Sequence, residues 1–278
     1  MSPNVGSETQ RVNAADTGFD LELPPSLKAE RRDDIAVLTL ARAQKRNALN
    51  DPTVFGIETF FEGLPADIKA VVLAGDGEHF SSGLDLSELT ELSVAEGIAH
   101  SRSWHRVFER IEFGRVPVVA VLQGAVLGGG LEIAASCHVR VAERSAYYAL
   151  PEGTRGIFVG GGGSVRISRL IGTSRMMEMM LTGRSYDAAE GHAIGLSHYL
   201  VGPGEGLAKA IELAKRIAGN APLTNFAATQ VLPRIGEIDP AGGYVMEALM
   251  AAIAQGDDEA KARLKAFLEK RGPKVGRS

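Results

Sequence analysis

The chain is poor in the residues that would build a disulfide scaffold, a membrane span or a nucleic-acid surface. It has one cysteine, Cys137, in 278 residues. No intrachain disulfide can form, and a reducing compartment is expected. No run of about 18 apolar residues occurs, so no segment reads as a membrane-spanning helix. Neither sign of charge dominates: 30 basic and 34 acidic side chains give a formal charge of −4. No basic stripe of the kind that grips nucleic acid is visible. Metal-ligand spacing is missing too, since Cys137 and His138 are adjacent and have no partners in sequence. The first 25 residues lack the basic start and apolar stretch of a signal peptide. They read as a polar, mobile arm ending at Pro24 and Pro25, and a cytoplasmic location is expected.

Glycine, by contrast, is abundant, with 33 residues. Several sit between apolar runs. DIAVLTLA, IKAVVLAG and PVVAVLQG read as strands, the last two covered on both faces. HVRVAE and AYYALPE read as shorter strands. Asp51 and Pro52 stand at the start of a helix through PTVFGIETFFEGL, with Asp51 placed to cap it. A second helix is expected over about 94–113, and from Thr173 onward nearly everything is helical. This order predicts an α/β protein. Its parts would be the arm (1–25), a core (26–220) and a helical C-terminal region (221–278).

Two glycine loops are candidates for chemistry. VVLAGDG begins like a dinucleotide-binding turn, but Phe80 stands where the third glycine belongs, and no helix opens there. At a strand–glycine–helix junction the first N–H groups of the helix have no partner within it. Without a Cβ a ligand oxygen can come close to the backbone. One such junction near Ser82-Gly83 and another at Gly128–Gly130 could supply paired donors to a developing oxyanion. Close helix–strand packing is the alternative reading of each. His138 is read as structural rather than functional. Trp104, Phe108 and Ile111 recur at helical spacing, as a core stripe or as the wall of a pocket.

HFSSGLDL, GAVLGGGLEIAASC and YYALPEGTRGIFVGGGGSVRISRLIG, in this order, resemble the enoyl-CoA hydratase/isomerase (crotonase) family. KRNALN, LTGRSYDAAEGHAIGLSHYLV and the closing DDEAKARLKAFLEKRGPK extend the resemblance from about residue 28 to 274. The resemblance implies a spiral of ββα units with C-terminal helices that assemble trimers or hexamers. The substrate would be an acyl-CoA thioester, with coenzyme A part of the substrate and no other cofactor or metal. Glu132 and Glu152 match the family's catalytic glutamates, and Ser82 and Gly129 its oxyanion hole. Contacts to substrate or CoA are implied for Lys45, Arg46, Ala48, Ser81, Leu84 and Asp85, and for Phe267 and Lys270 in the closing helix.

Family isomerases commonly lack a carboxylate where Glu132 stands. Dienoyl-CoA isomerases carry an acid at the position of Gly160, and the decarboxylase branch commonly has tyrosine in place of Glu132. Hydration of a 2-enoyl-CoA is therefore the expected reaction. Isomerisation, or a hydratase-lyase acting on aromatic acyl-CoAs, is the alternative, and a non-enzymatic binding role is the third. Three departures stand out: Ser82 where alanine is common, His138 in place of an aspartate, and Val159 in place of a proline before an unusually long glycine run.

Overall fold

The computed structural model describes residues 10–12, 18–88 and 92–271. The chain falls into two compact units, Met1–Arg216 and Ile217–Ser278. In the first, β1 (Gln10–Val12) and β2 (Leu21–Leu23) pair antiparallel. The expected mobile arm therefore does not extend to Pro25. Phe19 and Leu23 are buried, and Phe19 lies edge-on to Phe60 with ring centroids 5.8 Å apart. Residues 1–9 and 13–17 of that arm lie outside the described residues.

β3 (Leu27–Arg32) and β4 (Ile35–Leu40) form a hairpin that pairs Arg32 with Ile35. Asp33 closes the turn in the left-handed region, at φ 59°, where aspartate is tolerated. The charge-rich KAERRDD stretch thus hides a strand. Leu27 and Ala29 point inward and Lys28 and Glu30 outward, the period-2 pattern of a half-buried strand. Helix α1 (Asp51–Glu62) is capped by Asn50, whose side chain accepts from the Thr53 N–H. The cap is one residue earlier than expected, and Asp51 is left with other partners.

β5 (Ala70–Gly75) is almost wholly buried, and it pairs in parallel with β4 on one side. Helix α2 (Val94–Glu112) follows, with a capping box between Ser93 and Glu96. β6 (Val118–Leu122) continues the parallel sheet beside β5. Next come β7 (Ala125–Leu127), α3 (Gly129–Ser136), β8 (Val139–Glu143) and β9 (Tyr147–Ala149). The remaining elements of this unit are α4 (Gly163–Ile171), α5 (Thr173–Thr182), β10 (Tyr186–Asp187), α6 (Ala188–Ile194), β11 (Tyr199–Val201) and α7 (Gly206–Ala218).

The large sheet has the order β11-β8-β6-β5-β4-β3, parallel except for the β3–β4 hairpin. Each of its central strands is followed by a short stretch that pairs with its own kind. Ser81, after β5, bridges Val126 of β7; β7 pairs in parallel with β9; and β10 closes antiparallel on β9. A helix then returns to the next strand, so the chain winds as a spiral of ββα turns. Each turn delivers one glycine-rich corner to the same region.

The second unit is helical. α8 (Pro222–Phe226) runs into a π-helical stretch over Ala227–Val231, then α9 (Leu232–Ile235), α10 (Pro240–Gly256) and α11 (Asp258–Leu268). Its apolar side chains Tyr244, Val245, Leu249 and Ile253 are exposed.

Candidate active site

Two backbone N–H groups meet at one wall of a cavity of about 340 Å³. The first belongs to Gly129. Gly128 turns the chain at φ 50°, ψ −122°, and Gly129 opens α3. The Gly128 carbonyl accepts the N–H groups of Leu131 and Glu132 at 2.8 and 2.9 Å. The Gly129 N–H is thereby one of the helix-start donors with no intrahelical acceptor. The second belongs to Leu84. Leu49 donates to Gly83 O and accepts from Asp85 N, both at 2.8 Å, which turns the intervening Leu84 N–H to the opposite side. A Cβ built on Gly129 would stand 3.4 Å from Leu84 N. Among the described residues neither N–H donates to a protein acceptor.

Ser82 does not have this position. Its N–H donates to Arg46 O at 2.9 Å, its hydroxyl reaches Lys45 O at 3.3 Å, and it is not on the cavity wall. Gly83 follows at φ 88° and redirects the chain, so the donor that faces the cavity comes two residues later.

Two carboxyl groups lie in the same cavity. Glu132, in the first turn of α3, is buried, and its Oε1 accepts the N–H groups of Gly161 and Gly163 at 2.8 Å each. Its pKa is raised, chiefly by burial, and those two bonds and the charge of Arg166 offset only part of the rise. Glu152 is also buried, but its Oε2 has no hydrogen-bond partner. Burial is the main cause that pushes its pKa up to about 7, with the nearby Glu132 adding to the rise. Donors to a carboxylate favour its charged form, and their absence favours the acid. The two differ in their donors: Glu132 has two N–H groups that stabilise a charged form, whereas Glu152 lacks them and, with its pKa raised to about 7, holds a proton near neutral pH.

Trp104, Ile157, Phe158 and Val159 supply the apolar wall. Trp104 serves as core and as wall together, while Phe108 and Ile111 are wholly core. The Trp104 indole donates to Asp51 Oδ1 at 2.9 Å, and His100 Nε2 lies 2.8 Å from the same oxygen. Asp51, not needed as a cap, thus ties α1 to the wall of the cavity.

The sequence profile described as enoyl-CoA hydratase/isomerase matches residues 30–277. The chain belongs to the enoyl-CoA hydratase/isomerase family. It is 35% identical over 247 residues to a short-chain-enoyl-CoA hydratase of Clostridium acetobutylicum, covering 87% of this chain and 94% of the relative. It is 31% identical over 249 residues to the 2,3-dehydroadipyl-CoA hydratase of Escherichia coli, covering 89% and 97%. A crystal structure from Rhodopseudomonas palustris CGA009, provisionally named an enoyl-CoA hydratase, superposes with a TM-score of 0.88 at 55% identity. That match covers 90% of this chain and 97% of the other.

As a hydratase/isomerase family member, the chain uses several of its expected ligand residues internally. Ser81 is fully buried; its hydroxyl donates to Asn47 O at 2.8 Å and accepts from Gly83 N at 3.1 Å. It orders the donor loop, and its side chain is spent on internal bonds. Asp85 is buried between Arg42 (2.8 Å) and Lys45 (3.0 Å). Burial alone would raise its pKa, but hydrogen bonds from Ser87, Lys45 and Arg42 hold it well below the carboxylate range. It is a structural anchor. Ala48 is buried, and its carbonyl accepts from Arg42 Nη1 at 2.8 Å. Lys45 and Arg46 keep exposed side chains, while Leu84 is on the cavity wall. Phe267 and Lys270 are exposed in the second unit.

Sequence reasoning missed Arg42 and Asn47. The Asn47 amide donates to Asp76 O at 2.9 Å and His79 O at 2.7 Å, which fixes the loop ahead of Ser81. His138 is structural: Nδ1 accepts from Val118 N at 2.9 Å and Nε2 donates to Glu112 O at 3.0 Å. Burial depresses its pKa to about 4, so it stays neutral. Among the described residues no group of three or more His, Cys, Asp or Glu could hold a metal ion, and no helix is long and apolar enough to cross a membrane.

Proposed function

We propose that the protein is an enoyl-CoA hydratase in which Glu132, Glu152 and the N–H groups of Leu84 and Gly129 do the chemistry. The observation that carries this reading is the pairing of two unlike carboxyl groups with two open N–H donors in one cavity. The thioester oxygen of a trans-2-enoyl-CoA accepts from Leu84 and Gly129. Water attacks C3 while Glu132 takes its proton, and the C2=C3 electrons move onto the thioester oxygen as an enolate held by the two donors. Glu152 then delivers its proton to C2, giving the 3-hydroxyacyl-CoA. Proton exchange with solvent resets both groups.

The test is turnover of short and medium trans-2-enoyl-CoAs, followed by appearance of the 3-hydroxyacyl product. A folded protein that converts none of them would overturn the reading. A protein that instead moves the double bond of a 3-enoyl-CoA without hydration would be an isomerase. Glu132→Gln and Glu152→Gln should each lower turnover by at least about a hundredfold. The exposed apolar side chains of α10 support a homotrimer or homohexamer, which light scattering would measure. The single buried cysteine supports a cytoplasmic site of action.

A further inference from the structure

The carboxylate that would activate water is not held by its own helix. Both donors to Glu132 Oε1 come from the glycine run Gly160–Gly163, and glycine has the weakest conformational preference of any residue. Phe108 packs against Gly161 and Ser101 Oγ donates to Gly160 O at 2.6 Å, but the charged side chain that reaches the loop is buried Arg166. Arg166 Nη1 donates to Gly161 O at 2.9 Å, while its Nε donates to Glu112 Oε2 at 2.6 Å. The loop is closely fitted around it, since a Cβ on Gly162 would lie 2.4 Å from Arg166 Nη1.

Glu112 is itself fixed. It ends α2, its carbonyl accepts from His138 Nε2 at 3.0 Å, and His138 Nδ1 accepts from Val118 N in β6 at 2.9 Å. A continuous set of contacts therefore runs from the central sheet through His138, Glu112 and Arg166 to Gly161, and on to Glu132. Two departures noted in the sequence, the histidine and the long glycine run, are the two ends of this set.

Resting on the hydratase reading, we propose that Arg166 is a positioning residue for Glu132: braced by Glu112, it holds the Gly161–Gly163 loop so that one carboxylate oxygen is clamped and the other is left to the attacking water. The charged and titratable groups around Glu132 are Arg166 on α4, His105 on α2 near Gly162, His100 of α2 on the cavity wall, and Glu152, on whose charge Arg155 acts. Of the cations, Arg166 alone both contacts the loop and opposes protonation of Glu132. Its loss should therefore loosen the clamp and move the acid limb of the rate profile to higher pH.

The experiment combines kinetics with a double-mutant cycle. Arg166→Gln should lower kcat at least about tenfold with KM changed less than about threefold, and should shift the acid limb upward. Arg166→Lys, which retains charge but cannot make both contacts, should recover part of the loss. In a Glu132→Gln background, Arg166→Gln should cost less than about threefold, because its effect passes through Glu132. Glu112→Gln is the variant least disturbing to folding, and it should produce the same changes in smaller measure. An equal loss with and without Glu132, or an unmoved acid limb in a folded Arg166→Gln protein, would overturn the proposal. If no variant and not even the wild type turns over 2-enoyl-CoA, the hydratase reading fails. The positioning claim is then read from the Glu132 pKa by NMR titration, and no change between wild type and Arg166→Lys or Glu112→Gln would overturn it.

Discussion

Gly128–Gly130 and Gly160–Gly163 are written in nearly the same letters, yet their N–H groups point to opposite ends of the chemistry. In the first run the Gly129 N–H opens onto the cavity beside Leu84 N. In the second, Gly161 and Gly163 direct theirs at the protein's own Glu132. The difference lies in what each run faces. The first packs beside a loop whose Ser81 and Gly83 carbonyls already accept from Leu127 and Leu49 and whose Ser82 N–H is bound to Arg46 O, so its donor is left for a ligand. The second faces a carboxyl group whose pKa burial raises, and two N–H bonds work against that rise. A glycine run is thus a place where the backbone can be approached, and its surroundings decide by what.

The largest expected effect separates the two runs directly. Gly128 sits at φ 50°, ψ −122°, and an added Cβ would lie 2.6 Å from Glu152 Oε1. Gly128→Ala should therefore strain the backbone by about 1–3 kcal/mol and displace the acid as well. Turnover is expected to fall about a hundredfold, the scale of losing an acid–base group, together with a lower melting temperature. A variant with wild-type kinetics would show that Glu152 does not depend on this corner.

The next effect is set by pH. With the Glu152 pKa raised to about 7, kcat/KM should fall about tenfold per pH unit above that value, as the proton needed at C2 is lost. The same shift acts on stability. A carboxyl whose folded pKa is raised gives stability that is whole below its unfolded value, about 4.3, and is lost as pH rises through about 7. Glu152→Gln should accordingly be the more stable protein at pH 8, by up to about 3 kcal/mol, and lose that advantage near pH 4. Urea melts at the two pH values measure it, and a variant no more stable at pH 8 than at pH 4 would contradict it.

For the second run the effect should be smaller. A Cβ on Gly163 would meet Glu132 Cγ at 2.7 Å and Oε1 at 2.9 Å, but the residue lies in ordinary helical backbone at the start of α4. Gly163→Ala should push the carboxylate aside without straining the chain. A loss of about fivefold in kcat, with little change in melting temperature, is expected for such a small misplacement. A loss as large as that of Gly128→Ala would mean that the two runs are not as different as their geometry says.

How much of this was visible in the sequence depends on whether the cause is local. The runs that became β5 and β6 were readable because a strand covered on both faces is near-continuously apolar, and β4 because apolar and β-branched residues fill it. β3 was not, since only Leu27 and Ala29 of its six residues mark the inner face. β7 and β10, at three and two residues, are too short to show any period. Glu132 and Glu152 were named from motifs, but their unlike environments come from Gly161, Gly163 and Gly128, which the fold brings from elsewhere. Arg166 and Glu112 are 54 positions apart and carry no signal that would pair them.

Ser82 gives the smallest expected effect and the sharpest check on the first run. If its N–H were half of the oxyanion hole, the loop around it would have to leave that group open. Instead the group is bound to Arg46 O at 2.9 Å, and the hydroxyl makes one long contact of 3.3 Å to Lys45 O. Ser82→Ala keeps the backbone and removes only that contact, an interaction of about 1 kcal/mol or less at a half-exposed site. The variant should hydrate 2-enoyl-CoA within about twofold of the parent rate at unchanged KM. Replacing the Leu84–Asp85 peptide is not informative, but an ester in place of the Ser82 or the Leu84 amide N–H is. The ester at 84 should lower kcat by about a hundredfold, the scale of losing one oxyanion donor. The ester at 82 should act mainly on stability, through the lost bond to Arg46, and the reverse order of effects on kcat would return the donor to Ser82.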